Sequence, residues 1–316
     1  MKIVALAGGV GGAKLAHGLA QILRPEELTV IVNTGDDFEH YGLYICPDLD
    51  TVCYTLAGLA NPETGWGRVN ETWNAFENFA RLEGPDWFRL GDKDLGTHLE
   101  RTRRLKAGDV LSQITRDFCN SWGIQHAVLP MSDQVVRTKV DTDEGELSFQ
   151  EYFVHRRCEP RVKDFRFEGV EVAEPAPGVC EAIQSADAIV ICPSNPWVSI
   201  NPILVTLASP SLPNREKGWS EGKTVIAVSP IIGGETVKGP AAKMYRELGI
   251  EPSALAVANQ YRGVVTHFVM DTVDSQLIES VRGLNMQTLV TNTLMKSHVD
   301  RKQLAGEVLQ FIGVAV

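Results

Sequence analysis

No stretch of this 316-residue chain approaches the roughly 18 consecutive apolar residues that a membrane-spanning helix requires. The amino-terminal apolar run ends at Gly8, too soon for the apolar segment of a secretory signal. Cysteine is scarce. The six present (Cys46, Cys53, Cys119, Cys158, Cys180 and Cys192) show no C-x-x-C spacing, which argues against a zinc site or a redox pair. They read as reduced, mostly buried thiols, and the expectation is a soluble, cytoplasmic protein without membrane partners. Basic charge is also short, with 30 Lys plus Arg against 40 Asp plus Glu and a net charge of −10. That argues against a nucleic-acid binder but leaves room for a local basic pocket. The remainder is ordinary: 44% hydrophobic and 22% charged residues suit a globular protein of two domains, or one large α/β domain with an insertion.

What is present is concentrated in the first 37 residues. Lys2 to Ala7 reads as a strand, Gly8-Gly9-Val10-Gly11-Gly12 as a loop, and Leu15, Ala16, Leu19, Ile22 and Leu23 as the apolar face of a helix closed at Arg24-Pro25. Glycines let the backbone approach an anion closely and aim N–H groups at it beside the positive end of a helix. Lys14, one turn in, adds a charged donor. Neither common fingerprint fits. Ala13 and Leu15 break the Walker pattern, and Lys14 stands where the last glycine of G-x-G-x-x-G belongs. The loop therefore indicates phosphate without naming a nucleotide, the alternative being a tight structural turn.

A second strand, Leu28 to Val32, ends in Asn33-Thr34-Gly35-Asp36-Asp37. In a doubly wound sheet that end faces the glycine loop. Paired acids beside a phosphate site call for a cation between them, and magnesium is the usual one; the plainer alternative is an Asp-rich turn capping the next helix. Asp48-Leu49-Asp50-Thr51 opens another helix, where either acid also suits an N-cap. His40 reads as a packing residue. Residues 72 to 122 are mostly helical, with Leu111, Ile114 and Phe118 on one core-facing stripe and Arg101, Arg103 and Arg104 as a solvated basic face. Between helices, Arg89-Leu90-Gly91-Asp92 is a contact loop or a surface turn. Val135 to Val140 and Leu147 to Val154 read as a hairpin standing apart from the nucleotide crevice. The α/β alternation resumes at Gly178. Strands then end in Ser194-Asn195-Pro196 and in Ser229-Pro230-Ile231-Ile232-Gly233-Gly234, loops expected on the same rim as Gly8 to Gly12.

These motifs, with Gly91-Asp92-x-Asp94, occur in this order in 2-phospho-L-lactate transferases, which the chain resembles over nearly its whole length. The resemblance implies transfer of a phospholactyl-type group from a guanosine diphosphate ester to the ribityl hydroxyl of the deazaflavin alcohol Fo. GMP is released, Mg2+ is required, and the product serves coenzyme F(420) biosynthesis. It leaves open whether the three-carbon unit is lactyl, enolpyruvyl or glyceryl, and it implies a homodimer. By match to the family pattern, Asp50 and Arg89 contact Fo. The expected site is then Asp36 and Asp50 as catalytic residues, and Asp36, Asp37 and Asp50 for the metal. Gly8, Gly9, Gly11, Gly12, Lys14, Ser194, Asn195, Ser229, Gly233 and Gly234 are expected to hold the phosphates and nucleotide. The expected architecture is a Rossmann-like, doubly wound, mostly parallel sheet formed by residues 1–60 and 178–316. Residues 61–177 form an inserted helical and β-hairpin subdomain that contributes to the acceptor site. The competing reading is a non-catalytic, nucleotide-sugar-binding regulatory protein of the same superfamily. A nicotinamide-dependent oxidoreductase is disfavoured by the failed dinucleotide fingerprint.

Overall fold

The structure is a computed structural model that describes residues 1–208 and 218–314. The chain opens with β1 (Ile3–Ala7), α1 (Gly9–Ala20) and β2 (Leu28–Val32). A short ribbon, β3 (Phe38–His40) and β4 (Leu43–Ile45), leads into α2 (Pro47–Leu56). Then come α3 (Asn74–Arg81), α4 (Asp92–Lys106), α5 (Leu111–Ser121) and β5 (Ala127–Pro130). An antiparallel sheet follows, made of β6 (Arg137–Thr142), β7 (Gly145–Ser148) and β8 (Val162–Glu168), with a wide helical turn at Glu151–His155. The second half alternates α6 (Val179–Ser185), β9 (Ala188–Ile191), α7 (Asn201–Leu207) and β10 (Thr224–Val228). A small hairpin, β11 (Ile231–Ile232) and β12 (Glu235–Thr236), precedes α8 (Ala241–Glu247) and α9 (Ala254–Gln260). The chain closes with β13 (His267–Asp271), α10 (Ile278–Arg282), β14 (Gln287–Thr291) and α11 (His298–Phe311).

Seven strands form one parallel sheet in the order β14-β13-β10-β9-β1-β2-β5. The chain winds outward from β1 through β2 to β5, crosses back to β9, and winds outward the other way. Neighbouring strands β1 and β9 therefore send their following loops to opposite sides, which opens a crevice at their carboxyl ends. Every residue of β1 and β9 is buried, as expected of strands covered on both faces. Alternate side chains feed two cores: Ile3, Ala5 and Ala7 pack with Leu15, Ala16 and Leu19 of α1, while Val4 and Leu6 pack with Val179, Ile203 and Val257 on the other face. The doubly wound, parallel α/β architecture is as the sequence indicated.

Three details differ from the sequence reading. Helix α1 starts at Gly9, inside the glycine cluster rather than after it. Strand β5, which lies within residues 61–177, pairs with β2 as the edge of the main sheet. The second strand of the hairpin stops at Ser148, because Phe149, Tyr152 and Phe153 follow helical spacing. Phe149 and Tyr152 bury into a satellite core with Val140, Val162, Val198 and Met244, and Phe149 stacks on Phe153 at 5.5 Å.

Candidate active site

A cavity of about 750 Å³ opens at the crevice beyond β1 and β9. Its floor is the glycine turn. Gly9 takes φ +59°, which only glycine adopts without strain, and this swings the backbone into the first turn of α1. The other glycines are required by proximity. A Cβ on Gly8 would lie 2.5 Å from Asp48 Oδ2, one on Gly11 would lie 2.1 Å from the Pro193 carbonyl oxygen, and one on Gly12 would lie 2.5 Å from Ser194 Oγ. Ser194 closes the contact from the β9 side, where its hydroxyl accepts from the Gly8 N–H at 3.1 Å and donates to the Gly8 carbonyl at 2.6 Å. Gly8, Gly9, Gly11 and Lys14 line the cavity, whereas Gly12 packs behind it.

Two acidic groups share this floor. Asp36, at the end of β2, and Asp48, in the first turn of α2, are both buried and both face the cavity. Asn33 fixes their geometry: its Nδ2 donates to Asp48 Oδ2 at 2.9 Å and its Oδ1 accepts from the Gly35 N–H at 2.8 Å. Burial, and then the charge of Asp48, push the Asp36 carboxyl well above the usual carboxylate range. Burial also lifts Asp48, to about 6, against the opposing hydrogen bonds from Asn33, the Gly9 N–H and Ser199. Asp36 Oδ1 has no hydrogen-bond partner. Two buried carboxylates that repel one another, one with an idle oxygen, beside backbone donors, form an oxygen-donor set suited to a hard divalent cation.

Asp37 and Asp50 are placed differently. Asp37 is buried beside Cys46 and Arg137 and does not line the cavity; burial raises it to about 7 against the pull of Arg137. Asp50 lines the cavity, but Arg101 grips it through both oxygens, with Nη1 at 3.0 Å from Oδ2 and Nη2 on Oδ1. Arg101 is thus no solvated face. It is 2% exposed, and its neighbour Phe118 covers the guanidinium at 5.8 Å. Asp37 makes no ion pair and neither of its oxygens has a hydrogen-bond partner among the described residues, but it does not reach the cavity, so the acids that face the cavity without a paired cation are Asp36 and Asp48. Beside Asp50 stand His98 and Asp94 of α4, with His98 Nδ1 3.7 Å from Asp50 Oδ2 and His98 Nε2 3.4 Å from Asp94 Oδ1. Sequence reading passed over Asp48, whose N-cap position explained it, and over His98, whose spacing of four from Asp94 was the one available signal.

The strand-end loops divide between lining and scaffolding. Ser194, Asn195 and Ser229 reach the wall of the cavity. Asn195 Oδ1 meanwhile accepts from the Trp197 N–H at 3.0 Å, and the Ser229 hydroxyl bonds both backbone groups of Ile231. Gly233 and Gly234 do not line it. Their φ values of +57° and +81° belong to the two-residue turn joining β11 to β12, and the Gly233 N–H donates to Asp274. Lys14 donates to the Met295 carbonyl at 2.8 Å and Lys238 to the Thr64 carbonyl at 2.6 Å; both reach the cavity. Burial, followed by the charges of Arg301 and Lys238, holds Lys14 below its ordinary pKa.

The cavity is also lined by aromatic rings. Trp66, Trp87, Phe88, Phe149 and Phe153 line it with Arg89, whose guanidinium lies 4.5 Å from the Trp73 ring. Phe149 and Phe153 come from the stretch expected to stand apart, and the Thr138 N–H of β6 donates to the Gly35 carbonyl at 2.7 Å. The hairpin therefore braces the turn that carries Asp36. His40 packs, as expected, against Tyr41, Trp87 and Phe88, and burial lowers it to about 4.

Comparison with known proteins accords with this geometry. In fold, the chain is similar to the crystal structure of a UPF0052 family member from Bacillus halodurans, at TM-score 0.60 and 15% identity, covering 98% of each chain. In sequence it is 44% identical over 306 residues to the phosphoenolpyruvate transferase of Streptomyces griseus, covering 95% of this chain and 94% of that protein. It is 42% identical over 315 residues to the one from Streptomyces coelicolor, covering 98% and 97%. The family described as 2-phospho-L-lactate transferase CofD matches residues 3–310, and the chain belongs to that family.

Proposed function

We propose that this protein transfers a three-carbon phosphoester group from a guanosine diphosphate ester to the ribityl hydroxyl of Fo, releasing GMP, in coenzyme F(420) biosynthesis. The carrying observation is that one cavity is lined both by the glycine turn with two lysines, groups suited to a diphosphate, and by five aromatic rings, suited to a flat tricyclic ring. Asp50 lines the same cavity. The names of the relatives favour enolpyruvyl as the three-carbon unit.

Asp36 and Asp48 are the residues that would hold Mg2+, which when bound neutralises the diphosphate. Displacement at phosphorus by an alcohol needs positioning and charge neutralisation more than covalent catalysis. The Gly9 to Gly11 backbone and Lys14 bind the phosphates on one side. Trp87, Phe88 and Phe153 hold the deazaflavin ring and exclude water on the other, with Arg89 at its edge. Asp50, immobilised by Arg101, orients the attacking hydroxyl. A homodimer is part of the same reading, by membership of the family.

The test is a mass-spectrometric assay with Fo, Mg2+ and each of the lactyl, enolpyruvyl and glyceryl guanosine diphosphate donors. A phosphodiester of Fo with stoichiometric GMP, made fastest from the enolpyruvyl donor, is the expected result. No product from any donor, with tight binding of a uridine diphosphate sugar, would replace this reading with that of a regulatory binder.

A further inference from the structure

We propose that Gln150 is a specificity-determining residue of this cavity, pairing through its side-chain amide with the imide edge of the deazaflavin ring. The inference rests on the transferase reading above, and it concerns a residue that no part of that reading uses.

Two side-chain amides line the cavity, those of Asn195 and Gln150. Asn195 is engaged within the protein: its Oδ1 accepts from the Trp197 N–H, and its Nδ2 donates to Met244 Sδ at 3.3 Å. Gln150 is 5% exposed, and its amide makes no hydrogen bond to any of the described residues. A buried amide without a protein partner has given up water for nothing in return. Where such a group lines a cavity, it is one of the few polar points that orient a ligand among apolar walls.

The fold fixes where that amide stands. Gln150 opens the wide turn Glu151–His155 with helical backbone angles, φ −71° and ψ −31°. Phe149 before it and Tyr152 after it are buried in the satellite core with Val198 and Met244, so the backbone between them is anchored on both sides. Phe149 and Phe153, and likewise Gln150 and Val154, are four residues apart, and all four line the cavity. Gln150 is the one polar side chain among them. At the end of the turn the His155 ring stacks on Trp87, 5.1 Å between centroids and 22° between planes, and Trp87 lines the cavity too. The amide thus belongs to the stretch that supplies aromatic rings, and not to the strand ends that carry the glycine turn.

An amide offers one donor and one acceptor side by side. The terminal ring of a deazaflavin is a pyrimidinedione, in which an imide N–H stands between two carbonyls. Gln150 Oε1 accepts from that N–H while Nε2 donates to an adjacent carbonyl, and either carbonyl serves because the edge is symmetric about its N–H. Glutamine reads nucleobase edges through the same kind of bidentate match. The hydroxyl at the opposite end of the ring system would use only one of the two amide groups and leave the other unpaired. Aromatic rings alone accept any flat molecule of suitable size, whereas the amide requires an N–H beside a carbonyl. Guanine also carries such an edge; the company of Phe149, Phe153 and Trp87 assigns the amide to the acceptor.

Isothermal titration of the full chain with Mg2+ present tests this. The wild type is expected to bind Fo roughly 10- to 100-fold more tightly than Fo methylated at its imide nitrogen. Gln150→Met is close in size and has no amide. It is expected to bind Fo and the methylated ring equally, both more weakly than wild type binds Fo, and to bind GDP as wild type does. Its Tm should stay at the wild-type value, since no bond within the protein is given up. Equal binding of the two rings by the wild type overturns the inference, and that measurement needs no variant. A Gln150→Met protein that still distinguishes the two rings overturns it as well. So does one that loses affinity for GDP in place of Fo, which would give the amide to guanine. A wild type that binds no Fo sinks the transferase reading, and this inference with it.

Discussion

At the scale of single residues, the acidic side chains share a buried position and differ in what compensates them. Asp50 has Arg101, whereas Asp36 and Asp48 have one another. A carboxyl whose folded-state pKa exceeds its unfolded value takes up a proton on folding, so its burial is harmless below the unfolded pKa and destabilising above the folded one. Asp37, raised from 3.8 to about 7, provides a direct reading. Asp37→Asn is expected to match wild type near pH 4 and to become progressively more stable than it up to pH 8. The gap should reach roughly 1–4 kcal/mol in urea unfolding; a constant gap across pH would show that Asp37 is not the buried acid described. For Asp36 and Asp48, protons and a divalent cation compete for the same oxygens. Mg2+ is therefore expected to raise the Tm by several degrees at pH 8 and hardly at all at pH 5. Asp48→Asn should remove the effect at both. Asp36 and Asp50 were legible in the sequence because each sits in a motif, but Asp48 was masked by a capping role that it also fits. Arg101 was misjudged because a cluster of arginines on a helix gives no sign of which one turns inward.

At the scale of elements, the strands were legible because fully buried parallel strands are uninterrupted apolar runs, and β1, β2, β9 and β10 are of that kind. The start of α1 was not. Glycine carries no helical signal, and what draws Gly9 to Gly12 into the helix is contact with β9's loop, 186 residues away between Gly8 and Ser194. The same contact makes Gly11 a point of leverage. A methyl group there meets the Pro193 carbonyl, which is backbone and cannot rotate aside. Gly11→Ala is expected to destabilise the protein by roughly 1–3 kcal/mol in denaturant unfolding and to weaken GDP binding, since the turn must open to admit the extra carbon. Gly42→Ala, where nothing lies within 4 Å but φ is +70°, controls for backbone strain alone: it should destabilise by about 1 kcal/mol and leave nucleotide binding intact.

At the scale of the whole molecule, the sheet brings together the rim of strand ends, while residues outside any regular pattern cover it. The order of strand-end motifs was enough to place the rim, because a doubly wound sheet has one crevice at its switch point. The aromatic cover was not readable as a surface: Trp66, Trp87 and Phe88 lie in irregular stretches, and Phe149 and Phe153 lie in a helical turn within a stretch that reads as a hairpin strand. This division of labour has a measurable consequence. If the glycine turn and the aromatic rings bind different ligands, damage to one should leave the other's affinity alone. Lys14→Ala removes a cation beside the glycine turn and is expected to raise the KM for the donor about tenfold or more with the KM for Fo unchanged. Trp87→Ala removes a ring stacked on His155 at 5.1 Å and is expected to do the reverse, raising the KM for Fo roughly tenfold while GDP binds as before. Equal losses on both substrates from either change would mean that the two sets of residues act as a unit. Isothermal titration of GDP and of Fo against both variants separates the two outcomes without recourse to turnover.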